Sequence, residues 1–241
     1  MGKIKFTSKL VVRDEKKERP FYEDALDRYA ALKEQLPEDV RIRIHRAFSW
    51  LKRAAMAGES GDDDVRFITL WIAFNSAYGQ EIGRGGSWGD KTNFKEFLRN
   101  ICLLDKRGSG LIRDLLLKKV YGVLRVLLDD QFCYKNFWEV INSGLPDDLW
   151  REQLQKEKQR TLRAVMEDDT ERVLHTVFER LYVIRNQLLH GGASCGSTVN
   201  RGQLKNGCLI LESLIPLVLR IMLDNVSFDW GKLYYPVITQ K

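Results

Sequence analysis

Apolar residues recur at helical spacing along most of this chain. The clearest stripe lies in the segment 171–190, where every third or fourth residue is large and apolar. Its members are Leu174, Val177, Phe178, Leu181, Ile184 and Leu188. Segments that alternate apolar and polar residues are nearly absent, and we interpret 3–12, the one stretch that resembles a short strand, as flexible. The pattern therefore predicts an all-α fold.

Capping signals and apolar spacing together divide the chain into eight predicted helices. The segment 62–78 begins with three aspartates, and its apolar residues surround it almost completely, so we expect it to be the central buried helix. The glycine-rich stretch 79–89 is interpreted as a mobile connection, because it follows a helix and lacks the Gly-Lys-Ser/Thr of a phosphate-binding loop. The predicted helices are 37–57, 62–78, 92–103, 111–129, 132–142, 146–166, 171–190 and 200–225.

Composition and charge point to a globular protein with an anionic partner. The chain has 241 residues, of which 44% are apolar and 30% charged, and its net charge is +6. Seven basic against three acidic residues in the first twenty positions lead us to divide the chain into a basic N-terminal arm, 1–36, and a helical domain, 37–241. No internal repeat is apparent.

Cysteine usage and hydropathy indicate a cytoplasmic protein outside the membrane. The four cysteines are scattered, without the spacing of a zinc site, so we expect reduced thiols, no metal and no cofactor. The N-terminus lacks an apolar signal core. The most apolar run, 208–223, is too short for a bilayer and contains Glu212, Pro216 and Arg220.

Three side chains suited to phosphoryl transfer stand at the end of the segment 171–190. Arg185 carries a permanent charge, Asn186 an amide, and His190 the group that titrates nearest neutral pH. Asn186 and His190 share one helix face, with His175 and Tyr182 bordering it, whereas Arg185 lies about 140° from His190 around the axis. Cleavage of RNA by its own 2′-hydroxyl needs a base, an acid and charge relief, but no divalent ion. One protomer offers one suitable histidine, so a two-fold dimer with facing helix ends would supply both proton transfers.

The sequence resembles the HEPN family at this point. The run from Arg185 to His190 looks like that family's Arg-polar-x-x-x-His signature, the segment 71–79 reads W-x-A-F-N-x-x-Y-G as in one branch, and 200–204 is similar as well. The resemblance implies an up-and-down helical bundle with a four-helix core and additional helices. It also implies a metal-independent ribonuclease with a composite Arg185, Asn186 and His190 site at a homodimer interface. Many similar proteins are toxins or anti-phage effectors held in check by a separately encoded antitoxin or inhibitor.

A second group of residues suits contacts with RNA. Between positions 40 and 58 there are five lysines and arginines and no acid, and Arg43, Arg46, Trp50 and Arg53 share one helix face, the basic row. Alternating cations and aromatics are typical of single-stranded RNA binding but also of solvated helix faces. Arg201, which opens the last helix, is a further candidate for contact with RNA.

Two alternatives stay open for the whole chain. One is a catalytically silent HEPN-like module that docks RNA, a nucleotide or a partner, and the other is a scaffold in which Arg185 and His190 close a helix.

Overall fold

The fold is all-α, as the apolar spacing predicts. The computed structural model describes residues 19–79, 88–144, 146 and 149–238, without the side chains at 88–93 and 149. Over these residues there are ten mutually packed α-helices and no strand. The segment 3–12 and most of the predicted glycine-rich connection, 80–87, lie outside the described residues.

The eight predicted helices appear in the predicted order, with one helix added, α1, and one predicted helix divided into two. Their bounds are α1 Glu23–Leu32, α2 Glu38–Glu59, α3 Asp63–Tyr78, α4 Trp88–Arg107, α5 Leu111–Asp114, α6 Tyr121–Asp129, α7 Lys135–Ser143, α8 Leu149–Met166, α9 Thr170–Leu189 and α10 Arg201–Asp224. The predicted helix 111–129 is divided by a π-helical turn, Leu115–Lys119. The wider turn shifts the helix phase, and Leu115, Leu116 and Leu124 all remain buried.

Part of the predicted N-terminal arm, 1–36, is helical and packs against the rest of the protein. Residues 23–32 form α1, which packs against α10. Tyr22, Ala25 and Tyr29 are buried, and both tyrosine rings lie against Phe48 of α2. Their spacing of three and four residues is a helical signal, and it lies just after the basic stretch that defined the predicted arm.

The centre of the fold is α3, as predicted from the apolar residues on nearly all sides of this helix. It packs against α2, α4, α9 and α10. Asp62 caps its first turn by accepting from the Val65 N–H. Phe74 of α3 stacks near Phe178 of α9, with ring centroids 4.5 Å apart. The start of α3 lies beside the end of α9, since Asp64 bonds residues that follow that helix.

Helix α10 is a core helix. Among the described residues it is the one helix long and apolar enough to cross a membrane by length and composition. The helix is longer than the apolar run 208–223 noted in the sequence. However, 67% of its most apolar 18-residue stretch is buried inside the protein. Its single acidic residue in the middle, Glu212, is paired with Arg66 of α3. The apolar surface of α10 is therefore used in packing.

Candidate active site at the end of helix α9

The last turn of α9 presents His190 at the protein surface. Its backbone N–H donates to the Asn186 carbonyl at 2.9 Å, and Gly191 follows with a φ of +72°, a conformation that ends the helix. The Gly192 N–H then donates to the Gln187 carbonyl at 2.7 Å. A Cβ on Gly192 would lie 3.1 Å from that oxygen, so the close turn suits glycine. The His190 side chain is exposed.

Arg185 and Asn186 are joined directly. Arg185 Nη1 donates to Asn186 Oδ1 at 2.9 Å, and the guanidinium carbon lies 5.5 Å from the centroid of the Tyr182 ring. Arg185 Nε is buried and has no hydrogen-bond partner in the described part of the chain. The side-chain oxygen of Asn186 accepts from Arg185, and its backbone oxygen accepts from the N–H of His190.

Gln187 fixes the end of α9 between two distant segments. Its Nε2 donates to the Phe132 carbonyl at 2.7 Å, and its Oε1 accepts from Asn200 Nδ2 at 2.9 Å. Phe132 belongs to the short turn before α7, and Asn200 immediately precedes α10. The side-chain amide therefore anchors the turn that carries Asn186 and His190 to its neighbours.

The loop 191–200 is tied to α3 by Asp64. Its Oδ2 accepts from the Gly196 N–H at 2.8 Å, and its Oδ1 accepts from Arg201 at 2.6 Å. Burial opposes ionisation of the Asp64 carboxyl, but the bonds from Arg201 and Gly196 outweigh it and hold the pKa below its ordinary value. The same pair raises the pKa of Arg201. Arg201, predicted to contact RNA, thus serves as an internal ion-pair partner. Sequence reasoning missed Asp64, because nothing in a run of three aspartates distinguishes the one that faces a loop 132 residues later.

The basic row of α2 is not a single exposed surface, and the prediction that Arg43 lies on it is wrong. Arg43 is fully buried, at 0% exposure, and its guanidinium donates to the carbonyls of Ala77, Gly79, Gly231 and Lys232. Burial lowers the pKa of this guanidinium.

The other members of the basic row reach the surface. Arg46 Nη1 donates to the Tyr235 carbonyl at 2.8 Å, so one of its nitrogens is engaged by the C-terminal segment. Trp50 and Arg53 are exposed. The row is thus reduced to Arg46, Trp50 and Arg53 as surface groups.

His190 has no second histidine nearby in its own helix. His175 precedes it by fifteen residues, which is about 22 Å along the axis. His175 Nε2 is buried without a hydrogen-bond partner among the described residues. The described residues contain no group of three His, Cys, Asp or Glu side chains arranged to hold a metal ion.

Two clefts lie at the opposite end of α9. They have volumes of about 250 and 390 Å³, and both are lined by Lys106, Asp168 and Thr170. Neither is lined by Arg185, Asn186 or His190. The candidate site in one protomer is therefore distinct from these clefts.

Comparison with known proteins identifies no relative: no family model, curated protein or solved structure matches the chain.

Proposed function

We propose that this protein is a metal-independent endoribonuclease of HEPN type, which acts as a homodimer through Arg185, Asn186 and His190 of both protomers. The observation that carries the proposal is the group at the end of α9. There a guanidinium tied to Asn186 stands five residues before an exposed imidazole. The resemblance of the 71–79 segment to that family adds support from a separate part of the chain.

Arg185 is suited to hold the scissile phosphate. Its Nη1 is committed to Asn186, whereas its Nε has no partner in the described residues. Nε is buried, so the edge formed by Nε and Nη2 pairs with two phosphate oxygens in parallel once the guanidinium has turned outward. The permanent charge also stabilises the additional negative charge of the phosphorane. In the free protein Asn186 holds this guanidinium through Nη1, and the phosphate draws it outward on binding.

His190 is suited to move the protons. A neutral imidazole takes the proton from the 2′-hydroxyl as the O2′–P bond forms, and a protonated imidazole gives one to O5′ as the P–O5′ bond breaks. The products are a 2′,3′-cyclic phosphate and a free 5′-hydroxyl. Each transfer is worth about 10²–10⁴ in rate. Because one protomer has a single histidine at this site, the second transfer requires His190 of a second copy.

The surface around His190 suits a two-fold contact between copies. Leu189 precedes it and is 49% exposed, and Val199 at the end of the following loop is 63% exposed. Burying these apolar groups in a dimer would bring the two helix ends together at one cleft. We propose a cytoplasmic location and control by a separately encoded inhibitor, as in toxins and anti-phage effectors of the family. RNA would extend toward surfaces such as Trp50 and Arg53, supported by the net charge of +6.

The decisive experiment measures RNA cleavage in EDTA with matched histidine variants. Wild type should produce cyclic-phosphate ends, and His190→Ala should lower the rate by about 10²–10⁴. Arg185→Lys should also lose activity, because a lysine cannot form the two parallel bonds. His45→Ala is the control, because His45 is exposed on α2, away from the proposed site. This variant should cleave RNA as wild type does.

Three results would oppose the nuclease proposal. Equal cleavage by wild type and His190→Ala would indicate a contaminating nuclease. RNA shifted in a gel without cleavage would favour the silent binding module. If the protein neither binds nor cuts RNA and His190→Ala lowers its melting temperature, the residues serve only to close the helix. Light scattering must in addition find a dimer, because the mechanism requires two copies.

A further inference from the structure

The Tyr182 ring stands on the same face of α9 as Asn186 and His190. It precedes them by four and eight residues, so it lies about 6 Å and about 12 Å before them along the helix axis. Its side chain is 43% exposed, although most aromatic residues near it are buried. A ring at this distance is close enough to contact a nucleotide whose phosphate is held at Arg185.

Buried neighbours fix the position of the Tyr182 ring. Trp71 of α3, which is 7% exposed, lies 6.1 Å from it between ring centroids. Trp71 in turn lies 6.3 Å from Phe178, which is buried. A ring supported in this way loses little conformational freedom when it binds a flat partner. Single exposed aromatics are common on proteins, so this support alone does not indicate a ligand.

The distinguishing feature of Tyr182 is the guanidinium beside it. Arg185 Cζ lies 5.5 Å from the ring centroid while its Nη1 donates to Asn186. The phosphate-holding group and the ring are therefore neighbours. In RNA a base is joined to its phosphate through one ribose, so a phosphate bound at Arg185 leaves the attached base within reach of Tyr182.

We infer that Tyr182 is the base-stacking residue of this site, and that the substrate is RNA in which this base is unpaired. The inference rests on the proposed nuclease function and adds the form of substrate to it. As the guanidinium turns to the phosphate, the base takes the ring face that Arg185 covers in the free protein. A base within a duplex already has both faces stacked on its neighbours, so single-stranded segments are bound and duplexes are not. Tyr182 is a positioning residue here and transfers no proton.

The test combines Tyr182 variants with abasic RNA. A single-stranded oligonucleotide that wild type cleaves once is prepared as a series, each member lacking one base near the cut. Stacking on an aromatic ring is worth about 1–3 kcal/mol, so Tyr182→Ala should raise KM by about 5- to 150-fold with kcat changed less. Removing the stacked base should raise the KM of wild type by the same factor but leave the KM of Tyr182→Ala unchanged. Tyr182→Phe should behave as wild type, because it keeps the ring.

Tyr234→Ala is the matched control. Tyr234 is 41% exposed and lies in the C-terminal segment, so its removal tests the loss of an exposed tyrosine elsewhere. It should show no coupling to any abasic position. Melting temperatures of all variants are measured alongside, because Tyr182 also contacts Trp71.

Binding separates a failure of the inference from a failure of the nuclease proposal. The same oligonucleotides are titrated against His190→Ala with and without Tyr182→Ala. If wild type cleaves but no abasic position couples to Tyr182, or if Tyr182→Phe is as impaired as Tyr182→Ala, the stacking assignment is wrong and the nuclease proposal stands. If wild type does not cleave but binding couples Tyr182 to one base, the stacking assignment stands without the nuclease. If neither coupling nor cleavage occurs, both are wrong.

Discussion

The ion pair between Asp64 and Arg201 should control the stability of the loop that follows His190. We consider Asp64→Asn, which preserves shape but removes the charge and one acceptor. Two donors converge on this carboxylate, Arg201 on one oxygen and the Gly196 N–H on the other. In the variant one of the two donors must face the NH₂ group of the asparagine. That donor therefore loses its acceptor without gaining another.

The expected loss of stability follows from the burial of the pair. A hydrogen bond to a charged group contributes about 1.5–3 kcal/mol. The Arg201 and Asp64 side chains are 24% and 11% exposed, so water replaces the lost partner only in part. We expect Asp64→Asn to lower the free energy of unfolding by about 2 kcal/mol. For a chain of this size, that loss corresponds to a melting temperature lower by about 4–8 °C.

The assay is thermal and urea unfolding followed by circular dichroism, with Asp114→Asn as the control. Asp114 pairs with Lys118 at the surface, where the two side chains are 53% and 69% exposed, so the control should change stability by less than about 0.5 kcal/mol. The pKa of Asp64 is lowered in the folded state, so its stabilisation is present above the ordinary value of about 3.9 and is lost as pH falls below it. The difference between wild type and variant should shrink there. Equal effects of the two substitutions at neutral pH would refute the reasoning.

Three further predictions concern the buried arginine, two glycines and the RNA surface. Arg43→Ala should lower stability by more than about 3 kcal/mol in urea unfolding, because it leaves several carbonyls without a donor. Gly207→Ala should destabilise by about 1–3 kcal/mol in the same assay, since its Cβ would lie 2.6 Å from a Phe67 ring carbon. Gly202→Ala meets nothing within 4 Å and should stabilise by up to about 1 kcal/mol. In RNA binding measured against salt, Arg53→Ala should reduce the slope by about 1, whereas Arg201→Ala should leave it unchanged.

Local sequence was sufficient to predict all of the helices except α1. Capping aspartates precede α3 and α9, as the sequence indicated, because Asp62 and Asp169 bond N–H groups within their own first turns. The glycine after His190 ends α9 for a similarly local reason. These features depend on residues a few positions apart, so the sequence carries them directly. Helix α1 was missed although its tyrosine spacing was visible.

What the sequence by itself determined is the all-α class, the order of the helices and the shared face of Asn186 and His190, because each depends on periodicity or on contacts within one turn. Only the tertiary structure decided the roles of the arginines. Arg43 meets carbonyls 188 and 189 residues away, and Arg201 meets a carboxylate 137 residues away. Helical spacing places a cation on a face, but which distant acceptors converge on that face depends on how the helices pack.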